Sequence, residues 1–239
     1  MPLTPDRSLI AKIDLFSGLD ADALDDVVRR GHTRRLPKDM QVLVQGDPAT
    51  TCHAVIDGRI KISQTTPDGG QVVLRYLGPG EMYGTLAVLM GIPLPADAIA
   101  VVDSVEIYWP AAAMADLIER HPKIALASSR LAGGRLVDLQ TRLREVTTER
   151  VEQRLARTLL RMLGQAGRRT AEGVEIDFPI TRQELGEMIG ATLHTVSRTL
   201  SAWEEHGIVE SSRRRIVVRD PDALAAIAEE PRPPAAAAP

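Results

Sequence analysis

The chain changes its hydrophobic rhythm three times. Up to about position 31 the apolar residues fall at helical intervals, with Leu15, Phe16, Leu19, Leu24, Val27 and Val28 as anchors, which predicts a helical opening. Between Arg34 and about Tyr108 the rhythm shortens to strand-length runs broken by Gly and Pro, among them QVLVQGDP, HAVIDGRIKISQ, TPDGGQVVLRYLGPGEMYG and IAVVDSVEIYW. Short strands at near-regular spacing predict a closed antiparallel sandwich or roll. Positions 110–120 return to helical spacing and stop at His121-Pro122.

A longer pattern follows. Ala125, Ser129, Ala132, Leu136, Leu139, Leu143 and Val146 alternate steps of four and three, which is the seam of a helix that pairs along its length. Two readings stay open: the seam meets a second copy of the chain, or it folds back on its own roll. Gly133 and Gly134 lie inside this helix and cost about 1 kcal/mol each relative to Ala. Such a cost is tolerated where two backbones approach closely or where the helix must deform.

The last change comes after a helix at about 148–163 and a strand VEIDFPI, in the run ITRQELGEMIGATLHTVSRTLSAWEEHGIVE. Thr181 and Glu184 have the spacing of a capping box, Gly190 ends the first helix and Thr192 caps a second. Leu193, Val196, Leu200 and Trp203 fall on one face of that second helix and are expected to pack inward. His194, Ser197, Arg198 and Ser201 fall on the adjoining face, short, polar and able to reach base edges in a major groove. The segment SSRRRIVVRDP then reads as a hairpin ending in Arg213, Arg214 and Arg215, with guanidinium groups placed for backbone phosphates.

Composition narrows the classes. The 239 residues are 44% hydrophobic but only 3% aromatic, so the core is aliphatic. No apolar run approaches the ~20 residues needed to cross a bilayer and no secretory signal opens the chain, which predicts a soluble, cytoplasmic protein. Cys52 is the single cysteine, so neither an intrachain disulfide nor a multi-cysteine metal site can form within one chain. Net charge is −3, yet residues 135–219 carry 15 Lys and Arg against 12 Asp and Glu, and the remainder 14 against 20. A basic C-terminal portion is compatible with local DNA contact. No nucleophile–base constellation is apparent: Ser128 and Ser129 lie on the seam helix, the five histidines are scattered, and LGPGEMYG lacks a P-loop lysine. An enzyme is not expected.

The order of these parts, and above all HAVIDGRIK, LGPGEMYG and ITRQELGEMIGATLHTVSRTLSAWEEHGIV, resembles the CRP/FNR superfamily of bacterial transcription regulators from about Leu15 to Ile227. The resemblance implies an α+β fold: an N-terminal double-stranded β-helix (jelly-roll-like) effector-sensing domain over 1–121, a dimerisation helix over 122–147 and a winged helix-turn-helix over 148–229. The low-complexity tail 230–239 is expected to be disordered. Implied partners are a pseudo-palindromic double-stranded operator, a second copy of the chain and RNA polymerase, without a membrane. DNA contacts are expected from Thr181, Arg182, Thr192, His194, Thr195, Ser197, Arg198, Ser201, Arg213, Arg214 and Arg215. The dimer interface is expected from Ala125, Ser129, Ala132, Leu136, Leu139, Leu143 and Val146.

The match also has gaps. The FNR branch reads its half-site through E-x-x-S-R; here H-T-V-S-R carries over Ser197 and Arg198 but puts His194 in place of Glu. Cyclic-nucleotide binders of the superfamily use a Glu where this chain has Thr85 and an Arg-Ser pair where it has Leu94 and Pro95. A phosphate buried without a cation is costly, so the sequence argues against cAMP. The absent cysteine cluster argues against an iron–sulfur sensor. The expected effector pocket is Met82, Tyr83, Gly84, Thr85, Leu86, Met90, Leu94 and Leu131. Its ligand is left unknown, with haem as a candidate on His53, His121 or Met90 and an effector-independent protein as an alternative.

Overall fold

The computed structural model describes residues 7–230, and the expectation for a disordered tail from 231 onward lies outside them. The chain divides into two compact units, residues 1–138 and 139–239.

The first unit opens with α1 (Arg7–Ile10) and α2 (Ala21–Arg30), joined by turns rather than one continuous helix. Asp20 caps α2 by accepting from the Ala23 N–H at 3.0 Å, as a helix start requires. Eight strands follow: β1 (His32–Leu36), β2 (Gln41–Leu43), β3 (Thr51–Asp57), β4 (Ile60–Thr65), β5 (Gln71–Leu77), β6 (Met82–Tyr83), β7 (Asp97–Ala100) and β8 (Ser104–Pro110), with α3 (Thr85–Met90) between β6 and β7. They form two four-stranded sheets, ordered β1-β8-β3-β6 and β2-β7-β4-β5, and every pairing is antiparallel. This is the expected roll.

Alternation along β3 and β8 sends side chains to two cores. Cys52, Ala54, Ile107 and Trp109 join Ile10, Ile13, Phe16, Met114, Leu117 and Ile124 in a core between sheet and helices. Val55 joins Leu36, Ile60, Leu77 and Tyr83 in a second core between the sheets. Trp109 is fully buried, meets Phe16 edge-on at 5.1 Å and donates Nε1–H to the Val27 carbonyl at 2.9 Å. The unit is completed by α4 (Ala111–Arg120) and by the first part of α5 (Lys123–Thr148).

The second unit contains the rest of α5, then α6 (Val151–Ala166), β9 (Gly167–Thr170), β10 (Gly173–Ile176), α7 (Arg182–Ile189), α8 (Leu193–Glu205), β11 (Val209–Ser212), β12 (Arg215–Val218) and α9 (Pro221–Glu229). Its sheet runs β11-β12-β10-β9. Two of these elements lie outside the sequence expectation. The Arg-rich run at β9 has no apolar alternation; its register against β10, Gly167 opposite Ile176, defines it as a strand. Pro221 ends the hairpin as expected but also begins α9, where the Asp220 side chain accepts from the Ala223 N–H at 2.9 Å. Proline suits the first helical position because its missing N–H would be unpaired there anyway.

Candidate functional site

The pair α7 and α8 is built by its own caps. Thr181 Oγ1 accepts from the Glu184 N–H at 3.1 Å, and Glu184 Oε2 accepts from the Thr181 N–H at 2.9 Å, closing the capping box. Gly190 ends α7 with φ +66°, a conformation that penalises a Cβ. Gly186 has a different role: a Cβ there would lie 2.6 Å from the Ala191 carbonyl oxygen, so only glycine lets the turn pass this close to α7. Arg154, nearly buried on α6, donates Nε–H to the Ile189 carbonyl at 2.9 Å, satisfying a carbonyl at the end of α7. Thr192 then caps α8 by accepting from the Thr195 N–H at 3.2 Å.

Helix α8 buries Val196, Leu200 and Trp203. Leu193 departs from the expectation: it is the first residue of α8 and 48% exposed. On the other face His194, Arg198 and Ser201 are exposed, while Thr195 and Ser197 are half-buried. Beside the start of α8, Thr181, Arg182, Gln183, Leu193, Ser212 and Arg213 line a notch of about 350 Å³.

The three hairpin arginines separate. Arg213 and Arg214 occupy the exposed turn between β11 and β12. Arg215, in β12, is held by Glu172 at 2.9 Å, Glu175 at 3.2 Å and Glu210 at 3.4 Å. Arg182 is also engaged, donating to Ser211 Oγ at 2.6 Å and reaching Glu204 at 3.3 Å. It ties α7 to α8 and β11.

The residues expected to line an effector pocket have several surroundings. Tyr83 belongs to the core between the sheets, Thr85 and Leu94 are buried, Gly84 and Leu86 are half-buried, and Met90 is 67% exposed. Tyr83 donates its hydroxyl to fully buried Glu106, which also accepts from Arg34 Nε at 2.6 Å and pairs with His53 Nδ1 at 3.1 Å. The other His53 nitrogen meets Thr51 Oγ1 at 2.7 Å, and the ring stacks on Tyr83 at 4.9 Å. Burial pushes the Glu106 carboxyl up, but the bond and charge of His53, with the Tyr83 and Arg34 bonds, outweigh it and leave the pKa below the ordinary value. Tyr83 is raised well above its ordinary value, first by burial and then by the Glu106 charge.

Met82 and Leu131 instead line a cleft of about 680 Å³ bounded by residues 14–19, by Arg75 and Glu81, and by α5 from Lys123 to Asp138. No periodicity flags it; the sequence signal is Arg75, a lone cation in the apolar strand QVVLRYL.

The three candidate haem donors have different surroundings. Both His53 nitrogens are engaged within the sheet, His121 Nε2 lies 3.3 Å from Asp26, and Met90 stands at the surface. Among the described residues no group of three or more His, Cys, Asp and Glu is placed to hold a metal ion. Cys52 is buried and its thiol is pushed up to about 12, mainly by desolvation.

On the seam, Leu136 is 56% exposed, Leu139 and Leu143 64% and Val146 52%. Ala125 and Ser129 are exposed and Ala132 is half-buried. Among the described residues no atom outside the local helix lies within 4 Å of a Cβ built on Gly133 or Gly134. Among the described residues no helix is long and apolar enough to cross a membrane.

A β-roll and a capped helix-turn-helix with a basic hairpin define a DNA-binding transcription regulator, not an enzyme. The Cyclic nucleotide-binding domain family matches residues 33–121 and the Crp-like helix-turn-helix domain family residues 153–227. The chain is similar to the Cyclic AMP receptor protein of Thermus thermophilus, 29% identical over 214 residues that cover 90% of this chain and 96% of that one. It is 22% identical to the CRP-like cAMP-activated global transcriptional regulator of Mycobacterium tuberculosis over 91% of this chain and 97% of the relative. FixK2 from Bradyrhizobium japonicum shares the fold, with a TM-score of 0.72 at 22% identity over 84% of this chain and 99% of that one. The chain belongs to the CRP/FNR family of transcription regulators.

Proposed function

We propose that the protein acts in the cytoplasm as a homodimer, pairs along α5, binds a pseudo-palindromic operator through α8 and works with RNA polymerase. The observation that carries this reading is the division of α8: Val196, Leu200 and Trp203 are buried while His194, Arg198 and Ser201 stay exposed. Arg198 donates to guanine O6 and N7, and Ser197 and His194 read neighbouring edges. Thr181, Thr192 and Thr195 contact the duplex around the start of α8, and Arg213 and Arg214 meet phosphates. Arg182 and Arg215 act by positioning, since their guanidinium groups hold other parts of the fold.

The roll senses an effector other than cAMP. Two observations support this: Leu94 and Pro95 supply no cation for a cyclic phosphate, and Tyr83 is buried in the core between the sheets. The ligand favours the DNA-competent state by the 1–3 kcal/mol typical of allosteric coupling, about 5- to 150-fold in operator affinity.

The test is Arg198→Ala against an operator selected from random DNA. Loss of the footprint with the oligomeric state intact supports the reading. Equal affinity of mutant and parent refutes it.

A further inference from the structure

We propose that the cleft between β5 and α5 binds a small organic acid, its single anionic head group on Arg75 and Arg135 and its apolar body along Leu15, Leu19, Leu126 and Leu131. The proposal rests on the effector-sensing reading and gives that reading a site and a ligand class.

Charge in the cleft is the first argument. Arg135 donates Nη2–H to the Met82 carbonyl at 2.7 Å, which fixes its guanidinium, but its Nε is buried with no hydrogen-bond partner among the described residues. A buried N–H left without an acceptor costs free energy that a bound acceptor would recover. Arg135 and Arg75 are both partly buried. Desolvation brings Arg135 down to about 10, helped by the like charge of Arg75 and opposed by Glu81 and Asp138. Arg75 is lowered as well, again chiefly by desolvation. The half-buried carboxylate beside them, Glu81, gives one oxygen to the Gly78 N–H at 2.8 Å and lies 3.5 Å from Arg75 with the other. At the rim, exposed Lys123 and Arg130 are balanced by exposed Asp14 and Asp138. One positive charge is therefore left over in the depth of the cleft. A carboxylate matches it in charge, and a guanidinium fork suits the geometry of carboxylate or phosphate.

Shape and apolar surface supply the second argument. The volume of about 680 Å³ falls within the usual size of small-molecule sites. Leu126 is 54% exposed, a surface an apolar body would cover. At about 3.6 residues per turn, positions 127, 130, 134 and 138 lie roughly opposite 125, 129, 132 and 136 on α5. Leu126 and Arg135 lie between these two faces, so a second copy seated on the seam would border the cleft along them and leave its far side, at Ala127, Arg130 and Gly134, open. One stretch of helix thus carries a ligand site on one face and the start of a pairing seam on the other.

The experiment titrates the full-length protein calorimetrically with octanoate, octyl phosphate, inorganic phosphate and 1-octanol. Saturable binding of octanoate or octyl phosphate is expected, with 1-octanol and inorganic phosphate much weaker, and the better of the two acids identifies the head group. Arg135→Met and Arg75→Gln should each weaken that binding about tenfold or more. Arg135→Lys, which keeps the charge but loses the fork, should lie between, and circular dichroism confirms that each variant is folded. The proposal is overturned if neither acid saturates up to about 10 mM, if 1-octanol or inorganic phosphate binds as tightly as octanoate, or if both Arg135→Met and Arg75→Gln bind like the parent. Operator footprinting with the acid present is a separate readout: saturable acid binding with no footprint on any selected DNA refutes the regulator reading alone.

Discussion

Removing the Glu106 carboxylate tests whether the centre of the roll is held by charge as well as by packing. Glu106 is fully buried and joins three partners: Arg34 at 2.6 Å, His53 at 3.1 Å and the Tyr83 hydroxyl. His53 and Tyr83 are 2% and 3% exposed, so neither can turn to water. Glu106→Ala breaks a buried charged network from one side and strands these groups, for an expected loss of about 3–5 kcal/mol. That is a large part of the 5–15 kcal/mol typical of a whole domain. Glu106→Gln keeps the volume and one acceptor but gives up the charge-assisted bonds, an expected loss of about 1.5–3 kcal/mol. The chain has two tryptophans, Trp109 in the roll core and Trp203 in the second unit. A Trp203→Phe background leaves Trp109 fluorescence to report the roll alone during urea unfolding. The sign with pH follows from the depressed carboxyl: its contribution is complete above the ordinary value of 4.5 and is lost as pH falls through the lower folded value. The gap between parent and Glu106→Ala should therefore narrow in acid, leaving the part due to packing. A Glu106→Ala midpoint shift worth less than about 1 kcal/mol, at unchanged slope, would refute the reasoning.

Three further outcomes are expected. Leu139→Glu with Leu143→Glu places charge on two 64%-exposed seam positions and should yield a monomer by sedimentation; a persistent dimer would assign the seam another role. Arg214→Ala should weaken operator binding across sequences and lower the slope of log affinity against log salt by about one, whereas an unchanged slope removes Arg214 from the phosphate contacts. Cys52, its thiol pushed up to about 12 by burial, should resist iodoacetamide at pH 8 in the folded protein and react on unfolding; rapid native labelling would contradict that burial.

Much of the regulator was readable along the chain because its signals are local. A capping box needs residues three apart, and Thr181 and Glu184 close one. A helix face needs a repeat of three and four, and Val196, Leu200 and Trp203 are buried as their spacing demands. The glycine-punctuated runs became the strands of the roll. Where the pattern ran past an element's edge it misled: Leu193 shares the apolar spacing, but it lines an open notch among Thr181, Arg182, Gln183, Ser212 and Arg213.

Other features are decided by residues far apart in sequence. β9 has no apolar alternation and exists because β10 supplies its hydrogen bonds. Glu106 reads as a polar position in a strand, yet Arg34, His53 and Tyr83 come to it from β1, β3 and β6. Arg215 looks like its two neighbours until β10 and the turn before it bring Glu175 and Glu172 alongside. The cleft of Arg75 and Arg135 joins a strand to a helix sixty positions later. Sequence alone determined the helix-turn-helix with its caps, the glycine-bounded strands of the roll and which face of α8 stays polar, since these depend on steric and hydrogen-bonding rules acting over a few residues. Only the tertiary structure decided which charges are buried together and which remain exposed, because desolvation and pairing depend on what the rest of the chain brings within a few ångströms.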